Sequence, residues 1–208
     1  MFAIIQAAGW PIWPLLLASI VAVALIIERS VSLREAKIVP PTLLDQVISV
    51  HSRQGVNAEI IEKLAQDSPL GEVLAAGLRN EKSPRHVMRS AIEESGRAVA
   101  HNLERFLTTL GTIATAAPLL GLFGTVIGMI EIFGSQSPTG TNPQQLAHGI
   151  SIALYNTAAG IGIAIPALIF HRHFKNKVDG FVVRMEQAAS KLIDIVHGER
   201  EGYQARTQ

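Results

Sequence analysis

The feature that most constrains this chain is where its charges fall. Residues 1–27 hold no Asp, Glu, Lys or Arg, and residues 106–171 hold one, Glu131; the other 34 formal charges lie in residues 28–105 and 172–208. A helix in a water-soluble fold needs a polar outer face along its length. Long stretches without charge, separated by charge-rich ones, are instead the layout of a polytopic membrane protein. The charged fraction is 17%, against about 25% in ordinary soluble domains. A net charge of +1 argues against a general nucleic-acid binder, and the absence of Cys removes disulfides, zinc ribbons, iron–sulfur clusters and thiol catalysis together.

About 20 largely apolar residues cross a hydrocarbon core. The chain offers three such spans: a first within residues 1–28, a second over 107–133 and a third over 149–170. No basic n-region precedes the first, so it reads as an anchor rather than a cleaved leader, with the apolar Met1–Ala8 extending it. All 18 Lys and Arg fall in residues 29–105 and 172–206. The positive-inside rule then places 29–106 and 171–208 in the cytoplasm, and the N-terminus and the 134–148 loop outside. Trp10 and Trp13 fit the outer aromatic belt. Span one, with Ser19 as its one polar group, reads as lipid-facing; spans two and three, rich in small and polar residues, read as inward-facing.

Between span one and Pro84, Thr42–Arg53 and Asn57–Gln66 carry short helical patterns, and Ser68-Pro69 and Ser83-Pro84 resemble an N-cap followed by Pro at the first helical position. From Pro84 the apolar positions Met88, Ile92, Ser95, Val99, Leu103, Phe106 and Leu110 keep one helical face and run unpunctuated into span two. This predicts one helix from 84 to 133, roughly 75 Å long. Phe174, Val178, Phe181, Met185, Ala188, Leu192 and Ile195 do the same after span three. Bundle packing is the default reading of both stripes, and partner docking the other. Residues 198–208 read as a frayed terminus. The fold class expected is an all-α integral membrane protein with three transmembrane helices, the second and third extended into long cytoplasmic helices.

Helices in lipid associate through small residues and hydrogen bonds. Gly111, Thr115, Pro118, Gly121, Thr125 and Gly128 share one stripe of span two, where Gly124 and Gly128 also form a small-xxx-small pair. Gly149, Ala153, Thr157 and Gly160 form a stripe of span three, with Ser151, Asn156 and Ala164 beside it. Pro118, Gly121, Gly124, Gly128, Gly160 and Pro166 are the expected helix-packing residues. Thr125, Thr157, Ser151, Asn156 and Glu131 are the candidates for a polar pathway. Each has a plainer reading: a membrane Thr commonly bonds back to its own helix, and Glu131 lies near enough to the outer boundary to be a hydrated carboxylate. His171 and His173 form an H-x-H pair without a third ligand nearby, so no metal site is assigned. No Walker loop, H-E-x-x-H or G-x-S-x-G is present, and the chain does not read as an enzyme or as holding a cofactor.

The run Ala117 to Gly128, A-P-L-L-G-L-F-G-T-V-I-G, resembles the span-two signature of the MotA/TolQ/ExbB proton-channel family. Gly149 to Ala158, with Ala164-Ile-Pro166-Ala167, resembles its third span. Length and span count look more like ExbB than MotA, with TolQ as the alternative branch. The resemblance implies an inner-membrane, multi-pass homopentamer, with a periplasmic N-terminus and a cytoplasmic C-terminus. It also implies a single-span ExbD- or TolR-like partner with a membrane Asp in the central pore, and a TonB- or TolA-like protein energised by proton flow. It matches the family's pore-facing threonines to Thr125 and Thr157. The family's span three usually reads G-I-A-E-A-L, whereas this chain reads G-I-S-I-A-L and puts Ile152 at the acid's position. That departure leaves open a non-conducting scaffold. A solute or lipid transporter is disfavoured, because three spans hold no inverted repeat or pair of broken helices.

Overall fold

The structure is a computed structural model that describes residues 9–54, 56–134 and 143–198. The expectations for the leader 1–8, for 135–142 of the outer loop and for the tail 199–208 lie outside the described residues. Among the described residues there is no strand. Helices α1 (Ile12–Ser32), α2 (Glu35–Ile38), α3 (Leu43–Gln54), α4 (Ala58–Asp67), α5 (Pro69–Arg79), α6 (Arg85–Gly134) and α7 (Pro143–Val196) follow one another along the chain. The chain divides into two compact units: residues 1–30 with 106–174, and residues 31–105 with 175–208.

The helix starts show how local chemistry sets the elements. Asn57 caps α4, its side chain accepting from the Ile60 N–H, and Ser68 caps α5, accepting from Gly71 N–H with Pro69 at the first helical position. Ser83-Pro84 differs from the pattern read in the sequence. The Pro84 carbonyl accepts from the Val87 and Met88 N–H groups, so Pro84 itself holds the cap position and α6 begins one residue later. The third long helix also starts earlier than expected. Residues 143–148, assigned to the loop, are helical, with Pro143 in the first turn where its missing N–H costs nothing.

The unit formed by 31–105 and 175–208 is held by apolar stripes and a set of ion pairs. Met88, Ile92, Val99 and Leu103 on α6 are buried, as are Val178, Phe181, Met185, Leu192 and Ile193 on α7. Gly77 of α5 lets Ile92 and Met88 approach: a Cβ there would stand 2.8 Å from Ile92 Cδ1 and 3.2 Å from Met88 Cε. Arg85 pairs with Asp194 at 2.9 Å, Arg184 with Glu35 at 2.6 Å and Lys175 with Glu104 at 3.3 Å. His197 Nε2 lies 3.3 Å from the Ser83 carbonyl. A groove of about 750 Å³ in this unit is lined by Ile92, Gly96, Val183, Met185, Arg89 and Glu186, and none of the pathway or helix-packing candidates lines it.

In the unit formed by 1–30 and 106–174, Ile12 and Leu15 of α1 pack with Ala117 of α6 and Ala164 of α7. α1, α6 and α7 are each long and apolar enough to cross a membrane. Their outer faces carry exposed Trp13, Leu17 and Ile20 on α1, Leu119, Leu122 and Ile130 on α6, and Leu154, Ile165 and Ile169 on α7. The inward character read for spans two and three therefore belongs to one face of each helix, while the other presents large apolar side chains. Pro118 and Pro166 sit inside α6 and α7 without ending them, as neighbouring helices allow in membrane proteins.

Candidate functional site: the α6–α7 helix pair

The small residues of α6 and α7 set how closely the two helices approach. A Cβ at Gly121 would lie 2.8 Å from the Asn156 carbonyl oxygen and 3.1 Å from Thr157 Cα. One at Gly124 would lie 2.6 Å from Asn156 Cβ and 2.7 Å from its Cγ. One at Gly160 would lie 2.6 Å from the Ala117 carbonyl oxygen, and one at Gly149 would overlap the Ile132 side chain. Gly128 is looser, with the Gly149 carbonyl at 3.3 Å and Ile152 Cγ2 at 3.5 Å. Backbone meets backbone here, as small residues permit in membrane helices. Pro118 is half-buried, whereas Pro166 is exposed within this chain.

The pathway candidates fall into three environments. Thr125 Oγ1 donates to the Leu122 carbonyl at 2.6 Å, and Ser151 Oγ donates to the Ala147 carbonyl at 2.8 Å; both bond back to their own helix and are partly exposed. Thr157 is also partly exposed, but its hydroxyl donates across to the Gly121 carbonyl of α6 at 3.5 Å, one turn before Thr125. Asn156 is enclosed: its exposure is 0%, and Nδ2 donates to the Ile152 carbonyl at 3.1 Å. This pathway candidate therefore lies inside the helix pair. Glu131 is exposed near the end of α6, three residues before Gly134. Ile152, at the position where the family pattern has an acid, is 8% exposed and packed toward Gly128.

Two contacts at the other end of the spans were not legible as such. Arg29 is 5% exposed, lies with its guanidinium 4.6 Å from the centre of the Phe106 ring and pairs with Glu28. In the sequence Arg29 is simply one of the 18 basic residues that set the orientation. His171 Nδ1 donates to the Leu107 carbonyl at 2.9 Å, and its ring covers Gly111, where a Cβ would stand 3.0 Å from Cε1. No spacing rule links positions 64 apart; a buried Arg beside an apolar span and a Gly facing a His are signals only once the pairing is known. Among the described residues no three His, Asp or Glu side chains come together to hold a metal ion.

What this arrangement can do chemically is limited and specific. It places hydroxyls, one buried amide and backbone carbonyls at the middle of an apolar helix pair, without a charge of its own there. Such groups can accept or share a proton brought by another molecule, but they hold no titratable group to carry one.

The profile of the MotA/TolQ/ExbB proton channel family matches residues 65–187, more than half the chain and including both threonines. The chain is 35% identical over 176 residues to an ExbB-like biopolymer transport protein, ExbB-like 3, of Synechocystis, covering 82% of this chain and 83% of the relative. It is 33% identical over 171 residues to the biopolymer transport protein exbB1 of Vibrio cholerae, covering 78% and 74%. It is 26% identical over 192 residues to the biopolymer transport protein ExbB of Salmonella typhimurium, covering 86% and 77%. With three helices able to span a membrane, two of them long and paired through small residues, this chain belongs to the MotA/TolQ/ExbB proton channel family of membrane transport proteins.

Proposed function

We propose that the chain is the channel subunit of an ExbB–ExbD type motor in the bacterial inner membrane, with its N-terminus periplasmic and its C-terminus cytoplasmic. Five copies surround a single-span ExbD- or TolR-like partner whose membrane acid carries the proton. Proton flow past that acid energises a TonB-like protein for outer-membrane transport. The ExbB names of the relatives favour this branch over the TolQ-like envelope motor. The observation that carries the reading is the bond from Thr157 Oγ1 to the Gly121 carbonyl, one turn from Thr125, inside the family match. It puts the two threonine motifs of spans two and three at adjoining places on one helix pair.

The physics suits an acid supplied from outside the subunit. An isolated carboxylate in hydrocarbon is expensive, and hydroxyl oxygens along its path lower that cost without adding charge. The membrane potential supplies about 2.3 kcal/mol per charge per 100 mV, enough to bias a rotor whose pairing changes with protonation. The test is proton flux into liposomes holding the chain with its single-span partner. Thr125→Val with Thr157→Val is expected to lower flux about tenfold or more while the complex still assembles. Unchanged flux would refute the pathway.

A second reading has one observation in its favour. Ile152 is buried and apolar where the family pattern has an acid, which suits a non-conducting scaffold. Flux abolished by neutralising the partner's acid would exclude it.

A further inference from the structure

The residue that the fold treats most unusually is Asn156. It has 0% exposure in the middle of an apolar span, and its side chain occupies the notch left by Gly124, where any Cβ would come within 2.6–3.0 Å of Cβ, Cγ and Nδ2. Burying an amide in hydrocarbon costs free energy that a Leu, Val or Ala would not incur. Bulk alone therefore does not account for it. Its neighbour in sequence is Thr157, whose cross-helix bond to Gly121 stands at 3.5 Å, the limit of hydrogen-bond reach. A slide of α7 along α6 by less than one residue's rise, about 1.5 Å, breaks that bond.

We infer that Asn156 is a positioning residue for the proton pathway, and that it acts through its amide. The bond from the amide to the Ile152 carbonyl, one turn back on the same helix, holds the side chain in one rotamer, and that side chain seated in the Gly124 notch fixes the register of α7 against α6 and holds Thr157 at Gly121. The buried polar side chain at mid-span is thus an uncharged amide one turn from position 152, on the same buried face. The inference rests on the proton-channel reading above and names what orients its threonine.

The experiment compares Asn156→Thr with Asn156→Val in the full chain, reconstituted with its single-span partner and read by a pH-sensitive dye inside the liposomes. Thr and Val have nearly the same shape, but only Thr keeps a donor able to bond the Ile152 carbonyl. The expected result is assembly of both, with flux close to wild type for Thr and about tenfold lower for Val. Wild-type flux in Asn156→Val overturns the inference and leaves the proton-channel reading standing. An assembled wild-type complex that conducts no protons overturns both. Should neither variant assemble, the exchange Gly124→Ala with Asn156→Gly refills the notch without an amide. Normal flux in that assembled exchange overturns the inference, and low flux supports it.

Discussion

At the scale of single residues, the glycines separate into those that hold a contact and those that merely occupy a turn of helix. A Cβ at Gly71 would stand 2.1 Å from the backbone oxygen of Leu64, which cannot rotate away. Gly71→Ala is expected to cost about 3 kcal/mol or more, read as a fall in the thermal unfolding midpoint in detergent. Gly96 has nothing within 4 Å of such a Cβ, so Gly96→Ala is expected to stabilise by about 1 kcal/mol through helix propensity. Composition could not tell the two apart, because both are Gly among helix formers. The threonines were legible from the family-like strings, and Gly121, Gly124 and Gly128 from their spacing. The enclosure of Asn156 was not, since a polar residue at the edge of a stripe can point into the helix pair or away from it. The direction depends on a Gly in another helix.

At the scale of elements, the long helices were the most readable part of the chain. Their apolar residues repeat at helical spacing, and no Pro interrupts 85–117 or 144–165. The starts were harder, as Pro84 and Pro143 show, because Pro serves equally well at the cap and in the first turn. Two element-level substitutions test the packing. Leu192, with 0% exposure on α7, is expected to cost about 2–5 kcal/mol on change to Ala, measured by chemical or thermal unfolding. Arg29→Lys keeps the charge that orients α1 but gives up the planar stack on Phe106. Unchanged orientation with a loss of about 1 kcal/mol in stability is expected, read by labelling and thermal unfolding together.

At the scale of the whole molecule, the segregation of charge already held the class of the chain, because a membrane imposes its pattern on every residue that enters it. Which faces meet was not legible: the apolar positions of α6 and α7 are too numerous to show which of them touch. The proposed orientation can be read directly, since the chain has no Cys of its own. A membrane-impermeant maleimide added to spheroplasts is expected to label Gln144→Cys and not Gln66→Cys, and both after permeabilisation. The Gly124–Asn156 contact also bears on how such a molecule changes over generations. Ala at 124 collides with Asn156, whereas Gly at 156 leaves a hole that a later Ala at 124 can fill. The two positions therefore admit exchange in one order and resist it in the other, so that the history of the pair limits which descendants it can reach.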